Sequence, residues 1–184
     1  MRRTLLCFAF LACILAKAQE IDVSVTGGFL NLTASAKANV DGAARVTDSQ
    51  AGFFVGLSSE FRLDEKWAIE PSLLYSVVDG TDYLQLPILP KYYVAENVSF
   101  TAGPQLTYAV EDEFDVINNL GLDVSLGLSV DIDEHFFAYG RYALELTDRT
   151  SNTDFASLDP FDPGSSIRVK TRLNSLHIGV GYTF

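Results

Sequence analysis

Three side chains in the second half of the sequence have the types needed for nucleophilic catalysis. Ser175 could act as a nucleophile, His177 as its base and Glu145 as the acid that orients the histidine. In a membrane protein such a triad would suggest a lipid deacylase. A Ser-x-His pair is a weak signal by itself, so the decision depends on where the surrounding elements point these side chains.

Further charged side chains recur at strand-like spacing. They comprise four acids, three bases and one histidine: Glu60, Arg62, Glu70, Lys91, Asp123, Arg141, Glu145 and His177. Because the charges nearly balance, they favour a hydrogen-bonded ion network that plugs the interior, with a narrow proton or ion path as the alternative. Folding the chain back at Glu65 places Glu60 opposite Glu70, with Arg62 diagonal to Glu70. We therefore predict that Arg62→Ala destabilises the protein more than loss of a loop arginine.

Acidic residues also concentrate between the predicted strands. They are Asp41, Asp48, Asp79, Asp82, Glu111, Asp112, Glu113, Asp115, Asp154, Asp159 and Asp162. Carboxylate oxygens suit calcium, but this spacing matches no recognised calcium loop. We predict solvated acids that contact surface glycolipid through divalent ions, with no specific metal site and no cofactor.

The elements that must position these residues are long β-strands, and residues 120–132 show the clearest pattern. Every even position is Leu, Val or Ile, and every odd position is Gly, Asp or Ser, over 13 residues. Successive side chains of a strand point to opposite faces, so one face is hydrocarbon and the other is small and polar. Ordinary strands have about 5 to 6 residues. The length therefore suggests a strand that spans a membrane.

The same alternation predicts eight strands, at about 20–33, 51–63, 67–78, 83–94, 98–110, 120–132, 136–147 and 175–184. The connections at 64–66, 95–97 and 133–135 are short, whereas those at 34–50 and 148–168 are long and polar. Short turns on one rim and long loops on the other are typical of an outer-membrane barrel whose short rim lies in the periplasm. We predict an all-β, eight-stranded, antiparallel, transmembrane up-and-down barrel. Four prolines fall inside strands, where we expect bulges: Pro71, Pro87, Pro90 and Pro104.

Aromatic residues indicate which face meets lipid. They gather on the apolar face near the short turns and predict an interfacial belt: Phe61, Trp67, Tyr92, Phe100, Phe136, Tyr182 and Phe184. The polar face is rich in Gly, Ser and Thr, as suits a narrow lumen. The eight charged residues then point inward, and the Ser175 group lies away from any lipid substrate. We therefore predict no catalytic residues and no enzymatic activity.

Residues 1–18 have the pattern of a secretory signal peptide. Arg2 and Arg3 precede an apolar run from Leu5 to Ala16, and Ala16-Lys17-Ala18 precedes Gln19. The run is shorter than the roughly 20 residues that a membrane helix needs. A lipoprotein box at residues 11–13 is the alternative. We expect cleavage after residue 18, which leaves residues 19–184 as one barrel domain.

Charge and cysteine content exclude further classes. Removing residues 1–18 removes three of the 13 bases and none of the 24 acids, so the net charge is 10 − 24 = −14. Such an acidic chain is a poor partner for nucleic acid. Cys7 and Cys13 both lie in the removed segment, so neither a disulfide nor a cysteine metal site is expected.

A family resemblance rests on "YLQLPILPKYY" at residues 83–93, the Ala-Gln junction and the terminal "GVGYTF". The mature chain resembles the PorT-like outer-membrane β-barrel family common in the Bacteroidota, and is similar to OmpA-type and OmpX-type eight-stranded barrels. The resemblance implies an outer-membrane protein whose partners are membrane lipid and the outer-membrane assembly machinery. Some relatives are associated with protein secretion, a role that these residues do not transfer.

The sequence analysis favours a structural or surface-interaction scaffold that presents acidic extracellular loops to a surface or envelope protein. Two alternatives stay open. One is a narrow, porin-like ion-conducting barrel. The other is a secreted, lipocalin-like carrier whose apolar face points inward.

Overall fold

The computed structural model describes residues 21–38, 46–110, 119–147, 155–156, 166–167 and 169–184. They form ten strands: β1 (Ile21–Ala38), β2 (Val46–Arg62), β3 (Trp67–Val78), β4 (Thr81–Ala95), β5 (Val98–Ala109), β6 (Leu120–Asp131), β7 (Phe136–Glu145), β8 (Phe155–Ala156), β9 (Ser166–Ile167) and β10 (Val169–Thr183). The two-residue strands β8 and β9 pair with each other, and the other eight form a closed barrel in the order β1-β10-β7-β6-β5-β4-β3-β2. All neighbours are antiparallel. The predicted fold class is confirmed.

The strands are staggered around the barrel. A path through directly opposed residues starts at Trp67, passes Tyr92, Phe100, Leu128, Gly140, Ile178, Phe29 and Phe53, and returns to β3 at Val77. The stagger is therefore 77 − 67 = 10 residues per circuit. With eight strands this geometry tilts each strand by about 40° from the barrel axis. At that tilt, about 9 to 11 residues cross the hydrocarbon core.

The apolar face of every spanning strand points outward. On β6 the even residues are exposed, from Leu120 to Val130, whereas Asp123 and Ser125 on the odd face are almost fully buried in the lumen. This orientation confirms the sequence analysis of residues 120–132. A carrier with its apolar face inward is therefore the wrong alternative.

The first two strands are longer than the sequence pattern predicts. Residues 34–50 were expected to be a loop, but β1 and β2 continue to pair as far as Ala36 and Val46. β10 likewise begins at Val169 and pairs with Ala38. The reason is that Val46 to Ala51 are exposed on both faces, so this stretch lacks the alternation that marks a strand with one apolar face. Residues 39–45 lie outside the described part of the chain.

Pairing continues in one register on both sides of every strand proline. Pro71 stays opposite Ile88, Pro90 opposite Ile69, and Pro104 opposite Val124. The expected bulges at the prolines are therefore wrong, and the register shift between β4 and β5 lies at Tyr93 and Ala95, next to the turn. A proline removes one ladder donor without inserting a residue, so the inward and outward alternation of β4 survives both of its prolines.

The short connections are tight and use specific turn chemistry. Asp64 Oδ1 accepts hydrogen bonds from the amides of Lys66 and Trp67, each at 2.8 Å. Asp133 Oδ1 accepts them from His135 at 2.8 Å and Phe136 at 2.7 Å. At the opposite rim Asp79 and Gly80 have φ of 50° and 84°, the pair of positive values that a two-residue type I′ hairpin requires.

Several expectations concern residues that the structure does not describe. The signal peptide at 1–18 lies outside the described residues. So do most residues of the loop at 148–168, and the acids Asp41, Glu111, Asp112, Glu113, Asp115, Asp154, Asp159 and Asp162. Among the described residues, no helix is long and apolar enough to cross a membrane.

Candidate functional site

A buried ion cluster lies in the lumen near the short-turn rim, and Lys91 is at its centre. Its Nζ lies 2.7 Å from Glu60 Oε2 and 3.3 Å from Glu70 Oε2. Arg141 binds the other oxygen of Glu70 at 2.9 Å. Lys91, Glu70 and Arg141 are each 8% exposed or less. The inward and outward alternation of β4 continues past its prolines. The Lys91 side chain therefore points into the lumen, beside Glu70 of β3.

Arg62 has a different partner from the predicted one. Glu60 and Glu70 occupy the expected cross-strand positions, since Ser58 faces Ser72 and Phe61 faces Ile69. However, Arg62 binds Glu60 at 3.1 Å rather than Glu70. Lys91 reaches both acids from the next strand, which a two-strand diagonal rule does not consider. The predicted Arg62–Glu70 pairing is therefore wrong.

Tyr93, which the sequence analysis did not select, completes the cluster. Its hydroxyl donates to Glu60 Oε1 at 2.6 Å and accepts from Arg62 Nη2 at 3.0 Å. The Arg62 guanidinium carbon lies 4.5 Å from the centre of the Tyr93 ring. The signal was available: Tyr93 is two residues after Lys91, so both side chains point to the same face.

The other three predicted charges lie elsewhere in the lumen. Asp123 Oδ2 accepts hydrogen bonds from Gln105 at 3.1 Å and from Thr107. Glu145 accepts one from the amide of Leu173. His177 is fully buried, and its Nε2 lies 2.8 Å from Gln85 Oε1 on the opposite wall. The structure thus brings five of the eight predicted residues into one cluster.

The residues considered for catalysis do not form a triad. His177 Nε2 contacts Gln85, and its Nδ1 has no hydrogen-bond partner among the described residues. Glu145 lies opposite Asp123 on the neighbouring strand and contacts the Leu173 backbone. The histidine therefore lacks the acid that would orient it for proton transfer from Ser175.

An apolar cluster fills part of the lumen farther from the short turns, and the sequence analysis missed it. Its buried members are Leu30, Leu32, Phe54, Leu74, Val78 and Tyr139. The ring of Phe54 meets His177 edge-on, with centroids 5.2 Å apart. Five of these large side chains lie at inward positions of β1 to β3 and Tyr139 lies on β7, so the inner face is not uniformly small and polar. A count of residues by parity from Ser24 or Ser58 would have found Leu30 and Phe54.

The polar part of the lumen holds buried side-chain atoms that have no hydrogen-bond partner among the described residues. They are Thr26 Oγ1, Ser72 Oγ, Gln85 Nε2, Ser99 Oγ, Gln105 Oε1, Ser125 Oγ, Arg141 Nε and Nη1, and His177 Nδ1. Buried polar groups of this kind are normally satisfied by internal water. This part of the lumen is therefore suited to hold isolated waters between its side chains.

A cavity of about 430 Å³ opens from the ion cluster to the short-turn rim. Its lining includes Glu60, Arg62, Glu70 and Lys91 of the cluster together with Asp22, Asp131 and the 133–136 turn. In that turn the amides of His135 and Phe136 donate to the Asp133 carboxylate and hold its pKa below the ordinary value. Among the described residues, no group of three or more acids, histidines or cysteines is arranged to hold a metal ion.

The seven aromatic residues predicted for the belt lie at the short-turn end of the outer wall. Trp67 contacts Tyr92 with ring centroids 4.8 Å apart, and Tyr182 contacts Phe136 at 5.1 Å and Phe184 at 5.4 Å. Phe61 and Phe100 lie near the same ends of β2 and β5. The Trp67–Tyr92 and Phe136–Tyr182 contacts join rings from neighbouring strands, and all three contacts lie at one rim.

A second set of exposed aromatic residues lies eight residues farther along three strands. Phe53 precedes Phe61 on β2, Tyr75 follows Trp67 on β3, and Tyr108 follows Phe100 on β5; all three are exposed. Eight residues extend roughly 27 Å along a strand and about 20 Å along the axis at 40° tilt. The two sets therefore bracket a band close to the roughly 25 Å apolar belt of outer-membrane barrels.

Comparison with protein families gives a match that covers nearly the whole chain. Residues 4–184 match the model described as "Outer membrane protein beta-barrel domain". No curated protein matches the sequence.

Three solved structures similar to this chain have low sequence identity to it. OprG from Pseudomonas aeruginosa has 20% identity and a TM-score of 0.43, over 89% of this chain and 95% of OprG. Ail, the attachment invasion locus protein of Yersinia pestis, has 16% identity and a TM-score of 0.45, over 90% of this chain and 100% of Ail. Neisserial surface protein A has 17% identity and a TM-score of 0.43, over 90% of this chain and 100% of its own.

Proposed function

The chain belongs to the outer membrane protein beta-barrel domain family and is therefore an outer-membrane β-barrel protein, and we propose that it acts as a structural and surface-interaction scaffold without enzymatic activity. Its interacting parts would be the segments beyond the rim opposite the short turns. The rigid barrel would hold these segments at the cell surface, where binding residues of scaffold proteins are commonly found.

The observation that carries this proposal is a three-stranded ribbon that continues past the closed part of the barrel. β3 first pairs with β2 at Gly52, and β7 pairs with β10 only from Ser175 onward. Beyond these points, residues 46–51 of β2 and 169–174 of β10 continue along β1. The β2 part is exposed on both faces, which suits a segment in water rather than in lipid.

The contents of the lumen support a scaffold rather than a channel. The ion cluster around Lys91 occupies the short-turn side, and the apolar cluster around Leu30 and Phe54 lies farther along the axis. A permeating ion would have to separate buried ion pairs and then pass apolar side chains, and each step is costly in a medium of low dielectric. Conduction remains the second candidate because buried polar groups line the rest of the lumen.

The route to the membrane follows from the same proposal. Residues 1–18 would direct export as a cleaved signal peptide, and the barrel would be inserted by the outer-membrane assembly machinery. The resemblance of residues 83–93 and of the terminal GVGYTF to PorT-like proteins of the Bacteroidota supports placing the chain in that subgroup. The acidic surface segments would meet glycolipid through divalent ions and an envelope or extracellular protein through direct contact.

The scaffold proposal can be tested by shortening the ribbon. Replacing residues 35–47 with Asn-Gly joins Ala34 to Asp48, which are already paired, through a two-residue hairpin. The control replaces Glu96-Asn97 with Asn-Gly at the other rim. We expect both variants to fold, as judged by heat-modifiable migration on gels. Cells with the shortened ribbon should lose adhesion, secretion or envelope integrity that depends on the intact protein, whereas control cells should keep it. Full function of the shortened ribbon would refute the proposal.

A further inference from the structure

A groove of about 540 Å³ runs along β7 on the outer wall of the barrel. Its lining is apolar: Gly27, Gly28, Leu128, Val130, Ala138, Tyr139, Gly140, Ile178, Gly179 and Val180. The floor consists of Ala138 and Gly140, whose neighbours in the register are large. Gly140 lies between Leu128 and Ile178, and Ala138 lies between Val130 and Val180.

Aromatic residues flank the floor of the groove along the same strand. Phe136 lies two residues before Ala138, and Tyr142 lies two residues after Gly140, so all four side chains share the outer face. Both rings are exposed. Along the outer face of β7, two small residues thus lie between two large aromatic ones. The neighbouring strands β6 and β10 carry large aliphatic residues opposite the two small ones.

Gly140 has no local reason to be glycine. Among the described residues, Gly80 is the one glycine with a positive φ. Gly140 therefore does not adopt the left-handed backbone conformation that favours glycine. A Cβ added at Gly140 would meet no atom within 4 Å, so close packing does not require its absence. Glycine within a strand costs stability and often marks a place where a ligand approaches the backbone. The open space above Gly140 is therefore suited to an external group.

The position of the groove defines which molecules reach it. Gly140 is four residues from Phe136 at the short-turn rim, which corresponds to about 10 Å along the barrel axis at 40° tilt. It therefore lies in the half of the apolar band nearer the short turns, and it is continuous with the membrane-facing wall of this outer-membrane barrel. Lipid of the leaflet on that side is the surrounding medium.

We propose that this groove is a binding site for one acyl chain of a phospholipid, held more tightly than the lipids on the rest of the wall. The chain lies on Ala138 and Gly140 between the ridges of β6 and β10. Its headgroup is then at the short-turn rim, beside the His135 and Tyr182 rings, which stack with centroids 5.5 Å apart. Dispersion contacts with both ridges and the floor stabilise a chain here more than contact with a convex wall does.

The test compares Gly140→Leu with Ala102→Leu. The first fills the groove with a side chain whose Cβ meets no protein atom within 4 Å. The second adds the same side chain to an exposed outward position on β5, outside the groove. Each protein is reconstituted into vesicles of phosphatidylethanolamine and phosphatidylglycerol, extracted with mild detergent and weighed intact by native mass spectrometry. Folding is verified by heat-modifiable migration.

We expect the wild type and Ala102→Leu to retain one phospholipid, and Gly140→Leu to retain at least tenfold less, with Gly140→Ala between them. Equal retention in all proteins, or none in the wild type, would overturn the proposal. Dimers that disappear on Gly140→Leu would also overturn it, because the groove would then be occupied by a second copy of the chain.

Discussion

At the scale of single residues, we expect Lys91 to contribute more to the stability of the lumen than its neighbours. It is buried and lies within 3.3 Å of two carboxylates. Changing Lys91 to Met leaves Glu60 and Glu70 facing each other without their shared cation, and we expect a loss of about 3 to 5 kcal/mol in the free energy of unfolding. Urea titration of the protein in lipid vesicles measures the loss.

Arg62→Ala provides the comparison. The Arg62 side chain is 37% exposed. We therefore still expect Arg62→Ala to lower the free energy of unfolding, but by no more than about 1 kcal/mol. Adding Glu70→Gln to Lys91→Met should recover part of the loss. A larger effect of Arg62→Ala than of Lys91→Met would contradict the assignment of Lys91 as the central cation.

The sequence identified the lumen charges but not their partners. Period-two alternation fixes which face a residue lies on, and that was enough to place Glu60, Lys91 and Arg141 inside. Partners depend on the stagger between strands that are distant in sequence, such as Glu70 and Arg141, which lie 71 residues apart. A stretch of one strand carries no information about that stagger.

The turn at Asp133 makes a prediction about pH. The pKa of Asp133 is lowered by the amides of His135 and then Phe136, so its contribution to stability is present above the unfolded pKa of about 4 and is lost as the pH falls through the lower folded value. We expect Asp133→Asn to reduce the loss of stability that wild type shows between about pH 4 and pH 2, relative to Glu134→Gln in the same turn. Equal pH profiles for both variants would exclude this role.

At the scale of the strands, two adjacent glycines of β1 should respond differently to alanine. A Cβ at Gly28 would overlap the carbonyl oxygen of Ile178 on β10, whereas a Cβ at Gly27 has its nearest neighbour at 3.4 Å. We expect Gly28→Ala to cost about 1 to 3 kcal/mol because two strands must separate, and Gly27→Ala to change stability by less than about 0.5 kcal/mol. Urea midpoints in detergent would measure both, and equal midpoints would show that the β1–β10 contact is looser.

The strands themselves were predictable wherever one face meets lipid. β3 begins and ends at the predicted residues, 67 and 78, because hydrocarbon outside and a packed lumen inside enforce alternation along its whole length. The end of β2 was missed because its residues 46–51 are exposed on both faces, which removes that constraint. The apolar lumen cluster was missed for the complementary reason: Leu30 and Leu74 look like lipid-facing residues by type, and only their parity reveals that they point inward.

At the scale of the whole molecule, the ion cluster and the apolar cluster in the lumen predict a barrel that does not conduct ions. Purified wild-type protein added to planar bilayers should give no steady single-channel current, because an ion must pass both the Lys91 cluster and the apolar cluster. A heat-denatured sample is the control for detergent artefacts. Steady, voltage-independent conductance of the folded protein would favour the channel alternative over the scaffold.

The barrel is closed by pairing between its first and last strands, β1 and β10. β1 pairs with β10, Ser24 lies within 2.8 Å of Thr183 through their hydroxyls, and the amide of Phe184 donates to the carbonyl of Val23 at 3.0 Å. The seam between β1 and β10 cannot form until β10 has been synthesised. Until then β1 is an unpaired sheet edge that must be shielded from other chains during transit. Synthesis of β10 is thus a precondition for closure, and a chain that lacks this strand would stay open and prone to aggregation.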